Sequence, residues 1–188
     1  MEEGAALGES IFSGCENLTS VTLNNSNSII PEYAFSSCDA LQNITFPSAV
    51  TEIRRGALQY CRALKSVVFE GDVTEIGESA FYNCSSLERI SLPASVTRVG
   101  NSALNGSGIT EIEIPEGVTL QEYCLAGCEN LTRVVFKGKP NYCYNPFGYS
   151  SQATEVTADI YVPWAEGEVA NFPWGATNAT IHYNHVIE

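Results

Sequence analysis

Basic residues are scarce in this sequence: nine Lys plus Arg stand against 22 Asp plus Glu, a formal charge of −13. That balance excludes the electrostatic footprint of a nucleic-acid binder and argues against docking on an anionic membrane. The nine are also scattered, with Arg54-Arg55 the only adjacent pair. Long apolar runs are missing too, so no stretch approaches the roughly 20 residues of a membrane-spanning helix. The opening, MEEGAALGES, has neither the basic region nor the apolar core of a signal peptide. It enters the pattern described below almost at once, and we expect Met1 to mark a fragment boundary.

Catalytic vocabulary is equally thin. The two histidines, His182 and His185, sit three apart near the end of the chain and read as surface residues. No G-x-S-x-G occurs, and no Gly-rich phosphate loop follows a strand. Glu111, Glu113 and Glu116 cluster about one strand. A hydrolytic carboxylate pair needs a set separation and a raised pKa, so a solvated acidic face is the plainer reading. We expect no enzyme and no cofactor.

What is present is repetition. IGESAFYNCSSLERISLPASVTR (residues 76–98) slides back by 23 residues onto IRRGALQYCRALKSVVFEGDVTE, and again onto IPEYAFSSCDALQNITFPSAVTE. Self-similarity at this period predicts a stacked solenoid. Rungs start at Leu7, Ile30, Ile53, Ile76, Val99 and Leu120. A large apolar column follows at Phe12, Phe35, Leu58, Phe81, Leu104 and Leu125; Ala34, Ala57, Ala80 and Ala103 precede four of them, where a longer side chain would meet the next rung. Pairs such as Ile44/Phe46, Val67/Phe69, Ile90/Leu92 and Ile112/Ile114 alternate with period two, as half-buried strands do. Pro47, Pro93 and Pro115 end those strands, since proline cannot donate to a ladder. V-T-x-I segments after the corner read as a second short strand, and A-F-x-x-C as a single helical turn.

Seven cysteines invite a disulfide reading, but Cys15, Cys38, Cys61 and Cys84 recur every 23 residues and Cys128 continues the column. Side chains stacked in register point the same way, so we expect small buried free thiols. Without a histidine at ligand spacing, none suggests a metal site. Repetition also multiplies N-x-[ST] sequons, as at Asn17 and Asn130, without implying glycosylation.

The pattern L-x-x-I-x-L-P-x-x-V-T-x-I-G-x-x-A-F-x-x-C-x-x resembles the leucine-rich repeats of BspA-like bacterial surface proteins, over roughly residues 7 to 136. The resemblance implies a mostly β leucine-rich-repeat solenoid, curved and right-handed, non-enzymatic and displayed outside the cell. It implies adhesion to host matrix proteins or to other cells; the short, polar, β-branched outward stripe described below suits a host matrix or cell-surface protein, or a glycan. The resemblance carries over no set of ligand-contacting residues. A passive spacer or phage-tail component is the alternative.

Departures from the pattern carry their own expectations. Asn24 and Asn27 replace the corner proline and valine, predicting a looser, more solvated first corner. The fifth unit is short around Asn105-Gly106-Ser107-Gly108, which should pinch the stack. We divide the chain into repeats over residues 1–136 and a degenerate last rung with a C-terminal cap over 137–188. In the latter, Asn145-Pro146-Phe147-Gly148 reads as a vestigial turn, DIYVP as one more strand, and Trp164 and Trp174 as cover for the last apolar face. The candidate partner face is the outward side of the main ribbon: Thr22, Thr45, Val68, Ser91, Glu113 and Val135. It is flanked by Ser20, Asn43, Ser66, Arg89, Glu111 and Arg133. We expect a monomer.

Overall fold

The computed structural model describes residues 6–148, 157–170, 172, 174, 176 and 178–186; Met1, where a boundary is expected, lies outside them. Twelve strands occur among the described residues: β1 (Ile29–Ile30), β2 (Asn43–Phe46), β3 (Glu52–Ile53), β4 (Ser66–Phe69), β5 (Glu75–Ile76), β6 (Arg98–Val99), β7 (Glu111–Ile114), β8 (Thr119–Leu120), β9 (Arg133–Phe136), β10 (Tyr142–Cys143), β11 (Asp159–Tyr161) and β12 (Thr180–His182). The V-T-x-I segments supply one continuous ribbon, β1-β3-β5-β6-β8-β10. Its parallel register runs Ile30, Ile53, Ile76, Val99, Leu120 and Cys143, which are the predicted rung starts after Leu7 plus one more; Leu7 itself lies outside the ribbon. Between the ribbons lies one apolar spine. Phe35, Leu58, Phe81 and Leu104 are fully buried, as are Ala34, Ala57, Ala80 and Ala103. Each buried Phe or Leu contributes about 1.5–3 kcal/mol.

The A-F-x-x-C segments are not helical. No helix occurs among the described residues. Ala34, Ser36 and Cys38 donate their N–H groups three residues back, to Pro31, Tyr33 and Phe35, while Tyr33, Phe35 and Ser37 donate to Arg55, Ala57 and Gln59 in the next rung. The alternating segment is bracketed by left-handed residues spaced four apart: Ser10 and Gly14, Tyr33 and Ser37, Gly56 and Tyr60, Ser79 and Asn83, Ser102 and Gly106, Tyr123 and Gly127, with φ between 53° and 73°. A left-handed residue interrupts the run of right-handed dihedrals that a helix needs. The segment thereby becomes a third ladder between rungs.

The long-strand ribbon is broken, unlike the other. It consists of β2-β4 and of β7-β9-β11-β12, with only the isolated bridge Arg89↔Glu111 between. The expected strands at Val21/Leu23 and Ile90/Leu92 are therefore not laddered, and the corner residue contributes. Glu70 donates its N–H to Phe46 O at 3.0 Å, and Lys137 donates to Ile114 O at 2.8 Å. Those two rung interfaces carry the four-residue ladders β2-β4 and β7-β9. At the same position Pro47, Pro93 and Pro115 have no N–H to give, and the three corresponding interfaces are unpaired or hold a single bridge. At these three interfaces proline ends the strand and withholds a bond to the rung before. Pro163, in register with Lys137, withholds the same bond while β11 still pairs with β9, so proline weakens an interface without deciding it alone.

The first corner is more solvated, as expected, with Asn25 and Ser26 exposed, but it is pinned by side chains. Asn27 is only 4% exposed and its Oδ1 accepts the Leu7 N–H at 2.7 Å. Asn25 Oδ1 accepts the Ala49 N–H at 3.3 Å. The short fifth unit is absorbed by close approach: a Cβ on Gly108 would collide with the Ser85 carbonyl oxygen, so only glycine lets the backbone lie there.

At the other end Asn145 and Pro146 accept N–H groups from Tyr123 and Leu125, so the vestigial turn stacks as a rung, with Phe147 fully buried. Phe136 lies 5.4 Å from Trp164 and 5.6 Å from Trp174, ring centre to ring centre. Trp174 Nε1 donates to Ala170 O at 3.0 Å. The predicted tail strand at 179–183 is realised as β12, pairing with β11.

Candidate binding face on the long-strand ribbon

Strand alternation turns Thr22, Thr45, Val68, Ser91 and Glu113 to solvent, with Val68 47% exposed. Ser20, Asn43 and Arg89 flank them exposed, while Ser66, Glu111 and Arg133 are half-buried. Ser66 Oγ donates to Asn43 Oδ1 at 2.6 Å, a small polar ladder along the early rungs. Val135 does not belong to the accessible stripe, because it is 3% exposed. In register it lies between Glu113 and Tyr161. Around it Lys137 Nζ meets Glu113 at 3.0 Å and the Arg133 guanidinium covers the Tyr161 ring at 4.9 Å. Spacing could not place Tyr161 here, since β11 follows β9 by more than one ordinary period.

The stripe is not flat. Where the ladder opens around residues 89–92, a cleft of ≈ 460 Å³ forms on one side, with Val68, Leu92 and Pro93 in its lining and Glu70 and Asp72 beside them. On the other side a hollow of ≈ 230 Å³ is lined by Arg89, Leu92, Glu111, Glu113 and Arg133. The Arg89–Glu111 pair there is 3.4 Å apart and well exposed, so it contributes little, about 0–1 kcal/mol.

Positive charge elsewhere is largely consumed. Arg55 pairs with Glu78, Arg62 with Asp39, Arg98 with Glu75 and Lys139 with Glu168. No base lines the larger cleft among the described residues. Its field is that of unbalanced carboxylates over an apolar floor, which suits a cationic side chain beside an apolar one.

The terminal histidines are better held than expected. His182 Nε2 is 3.0 Å from Asp159 Oδ1, and its ring stacks on Tyr161 at 4.4 Å. His185 packs against the same tyrosine at 4.9 Å. All this covers the outer face of the last rungs, and the His182–Asp159 pair stands at the surface, its side chains 41% and 51% exposed.

Six stacked copies of one unit match the family model described as a BspA type leucine rich repeat region, over residues 5–157. The chain belongs to that family. BspA-type repeats are protein-interaction modules of bacterial type. Among solved structures, a leucine-rich repeat protein of T. pallidum is similar at 28% identity and a TM-score of 0.67, covering 76% of this chain and 68% of its own. A leucine-rich repeat protein of Eubacterium ventriosum gives 26% and 0.52, covering 61% of this chain and 30% of its own. A leucine rich cell surface protein of Faecalibacterium prausnitzii gives 26% and 0.50, with 72% and 43% covered. This BspA-type chain thus spans less than half of the latter two. No curated protein matches it. Among its described residues no helix is long and apolar enough to cross a membrane.

Proposed function

We propose that this chain is a non-catalytic binding module of a bacterial cell-surface or secreted protein, gripping a host matrix or cell-surface protein along the long-strand ribbon. The observation that carries the reading is the opening of the ladder on both sides of residues 89–92. It gives a polar sheet two hollows, the larger with an apolar floor and an acidic flank. Solenoids bind along such extended repeated surfaces. An unpaired acid patch on a chain of charge −13 steers a partner that presents Lys or Arg beside an apolar anchor. The surface address draws support from the F. prausnitzii protein, which is described as a cell surface protein.

The test is biosensor binding of the whole chain to a panel of purified extracellular-matrix proteins at low and physiological salt. We expect salt-weakened binding to at least one, falling about tenfold or more in Glu70→Lys/Asp72→Lys, whose melting temperature stays unchanged. Equal binding by the parent and the reversed chain sinks the reading. A spacer role is the second reading, favoured by the short neutral side chains Ser20, Thr22, Asn43 and Thr45 on the early rungs, which suffice to keep a sheet soluble. It predicts silence from this chain on every surface and binding only by a longer parent.

A further inference from the structure

On a different surface, beyond the ribbon just described, two tyrosines depart from what the repeat requires. Tyr142 in β10 stacks in register on Thr119, Arg98, Glu75, Glu52 and Ile29, a column that is otherwise aliphatic or polar. Tyr144 follows Cys143 as Gln121 follows Leu120 and Gly100 follows Val99. Neither position holds an aromatic in any earlier rung. Both rings are nevertheless displayed, 55% and 45% exposed. Their planes lie within 5° of parallel with centres 6.3 Å apart. They border a hollow of ≈ 180 Å³ completed by Asn101, Gln121 and Glu122.

The polar groups around this platform are complementary in kind. Arg98 Nη2 donates to Gln121 Oε1 at 2.9 Å, which fixes the amide and leaves its NH2 end to donate. Glu122 offers a carboxylate acceptor and Asn101 offers both a donor and an acceptor. A hexopyranose presents the matching pattern: hydroxyls that donate and accept around its edge, and one face of polarised C–H groups. Those C–H groups settle on the negative face of an aromatic ring. The hollow is smaller than the roughly 300–1,000 Å³ of drug-sized sites, a fit to one sugar residue of a longer chain. Glu122 and the net charge of −13 exclude sialylated or sulfated glycans.

We propose that Tyr142, Tyr144, Gln121, Glu122 and Asn101 form a binding subsite for a neutral hexopyranose. Saturation-transfer NMR on the whole chain tests it, with the methyl glycosides of glucose, galactose, mannose and N-acetylglucosamine as probes and a methyl sialoside as the anionic control. Transfer is expected to the ring C–H protons of at least one neutral probe, and none to the sialoside. Tyr142→Ala should weaken that probe about tenfold, while Tyr142→Trp preserves binding by keeping a stacking face. Both side chains are exposed, so an unchanged melting temperature accompanies these effects. Glu70→Lys/Asp72→Lys should leave the sugar signal intact, which separates this site from the protein-binding ribbon. No transfer to any neutral probe, equal transfer to the sialoside, or undiminished transfer in Tyr142→Ala/Tyr144→Ala each overturns the proposal.

Discussion

The cysteine column owes its side chain to a spare lone pair. Cys61 Sγ donates to Phe35 O at 3.1 Å, and Cys38, Cys84 and Cys128 make the same bond to Phe12, Leu58 and Leu104 at 3.2–3.3 Å. The Phe35 carbonyl already accepts the Cys38 N–H within its own turn. The thiol of the next rung takes the second lone pair, so each sulfur serves as small core filler and weak donor. Burial pushes the thiols up, to about 12 for Cys61 and Cys143 and about 11 for Cys38 and Cys128. An unfolded thiol ionises near about 8.5, so the folded state binds more protons above that pH. The stability these thiols carry is therefore complete below about pH 8.5 and is lost as pH climbs toward 12, about 1–2 kcal/mol by pH 10 for a deeply enclosed thiol such as Cys61 and less for Cys38. Denaturant midpoints should fall between pH 8 and pH 10. Thiol titration at pH 8 should find little in native protein and all seven sulfhydryls after unfolding; native reactivity of Cys61 or Cys84 would contradict their burial. At the neighbouring column, Phe81→Ala should cost about 3–5 kcal/mol by denaturation, since it empties a fully buried site in the spine.

At the scale of elements, proline at the corner removes one of the bonds that join neighbouring rungs of the long ribbon. Pro93→Ala restores an N–H at the place where Glu70 and Lys137 bond the preceding rung, with Phe69 O as its acceptor. One hydrogen bond contributes about 0.5–1.5 kcal/mol, while losing proline frees the unfolded chain by about 0.4–1 kcal/mol. The two nearly cancel, so the melting point is the wrong readout. Hydrogen exchange should instead show protection spreading into residues 90–93, with the larger cleft narrowed and its partner bound more weakly. Much of this architecture was legible in the chain: the 23-residue columns gave the spine, the rung starts and the tryptophan cover. The turn geometry was hidden because Ser, Tyr and Asn fill left-handed positions that glycine would have announced, as at Tyr33 and Asn83. Burial of Val135 was hidden because its neighbour Tyr161 lies beyond the point where the period fails. The gaps in the ribbon were half visible, since Pro47, Pro93 and Pro115 marked strand ends. Their effect on the rung before needed the register that only the fold supplies. The candidate face was legible as a stripe, but not as two clefts.

Across the whole molecule, stability is transmitted only between neighbours, so position along the stack decides how damage spreads. The short ribbon runs unbroken from β1 to β10 and the turn ladder from Ser10 to Pro146, while the long ribbon is interrupted at its middle. The two ends are closed differently as well: Phe12, Leu18 and Val21 in the first rung are only partly buried, whereas Phe136 is sealed under Trp164 and Trp174. Trp174→Ala removes a large ring from that seal and should cost about 3–5 kcal/mol locally. The loss lies at one end, so the first consequence is fraying rather than global unfolding. Hydrogen exchange should accelerate in β9 and β11 while β3, β4 and β5 keep their protection. Phe81→Ala, in the middle, should instead lower protection in the rungs on both sides. A compact globule with one shared core would respond to the two substitutions alike. Equal acceleration of β4 and β11 in Trp174→Ala would show that this chain unfolds as a single unit, against the nearest-neighbour coupling that its stacked ladders dictate.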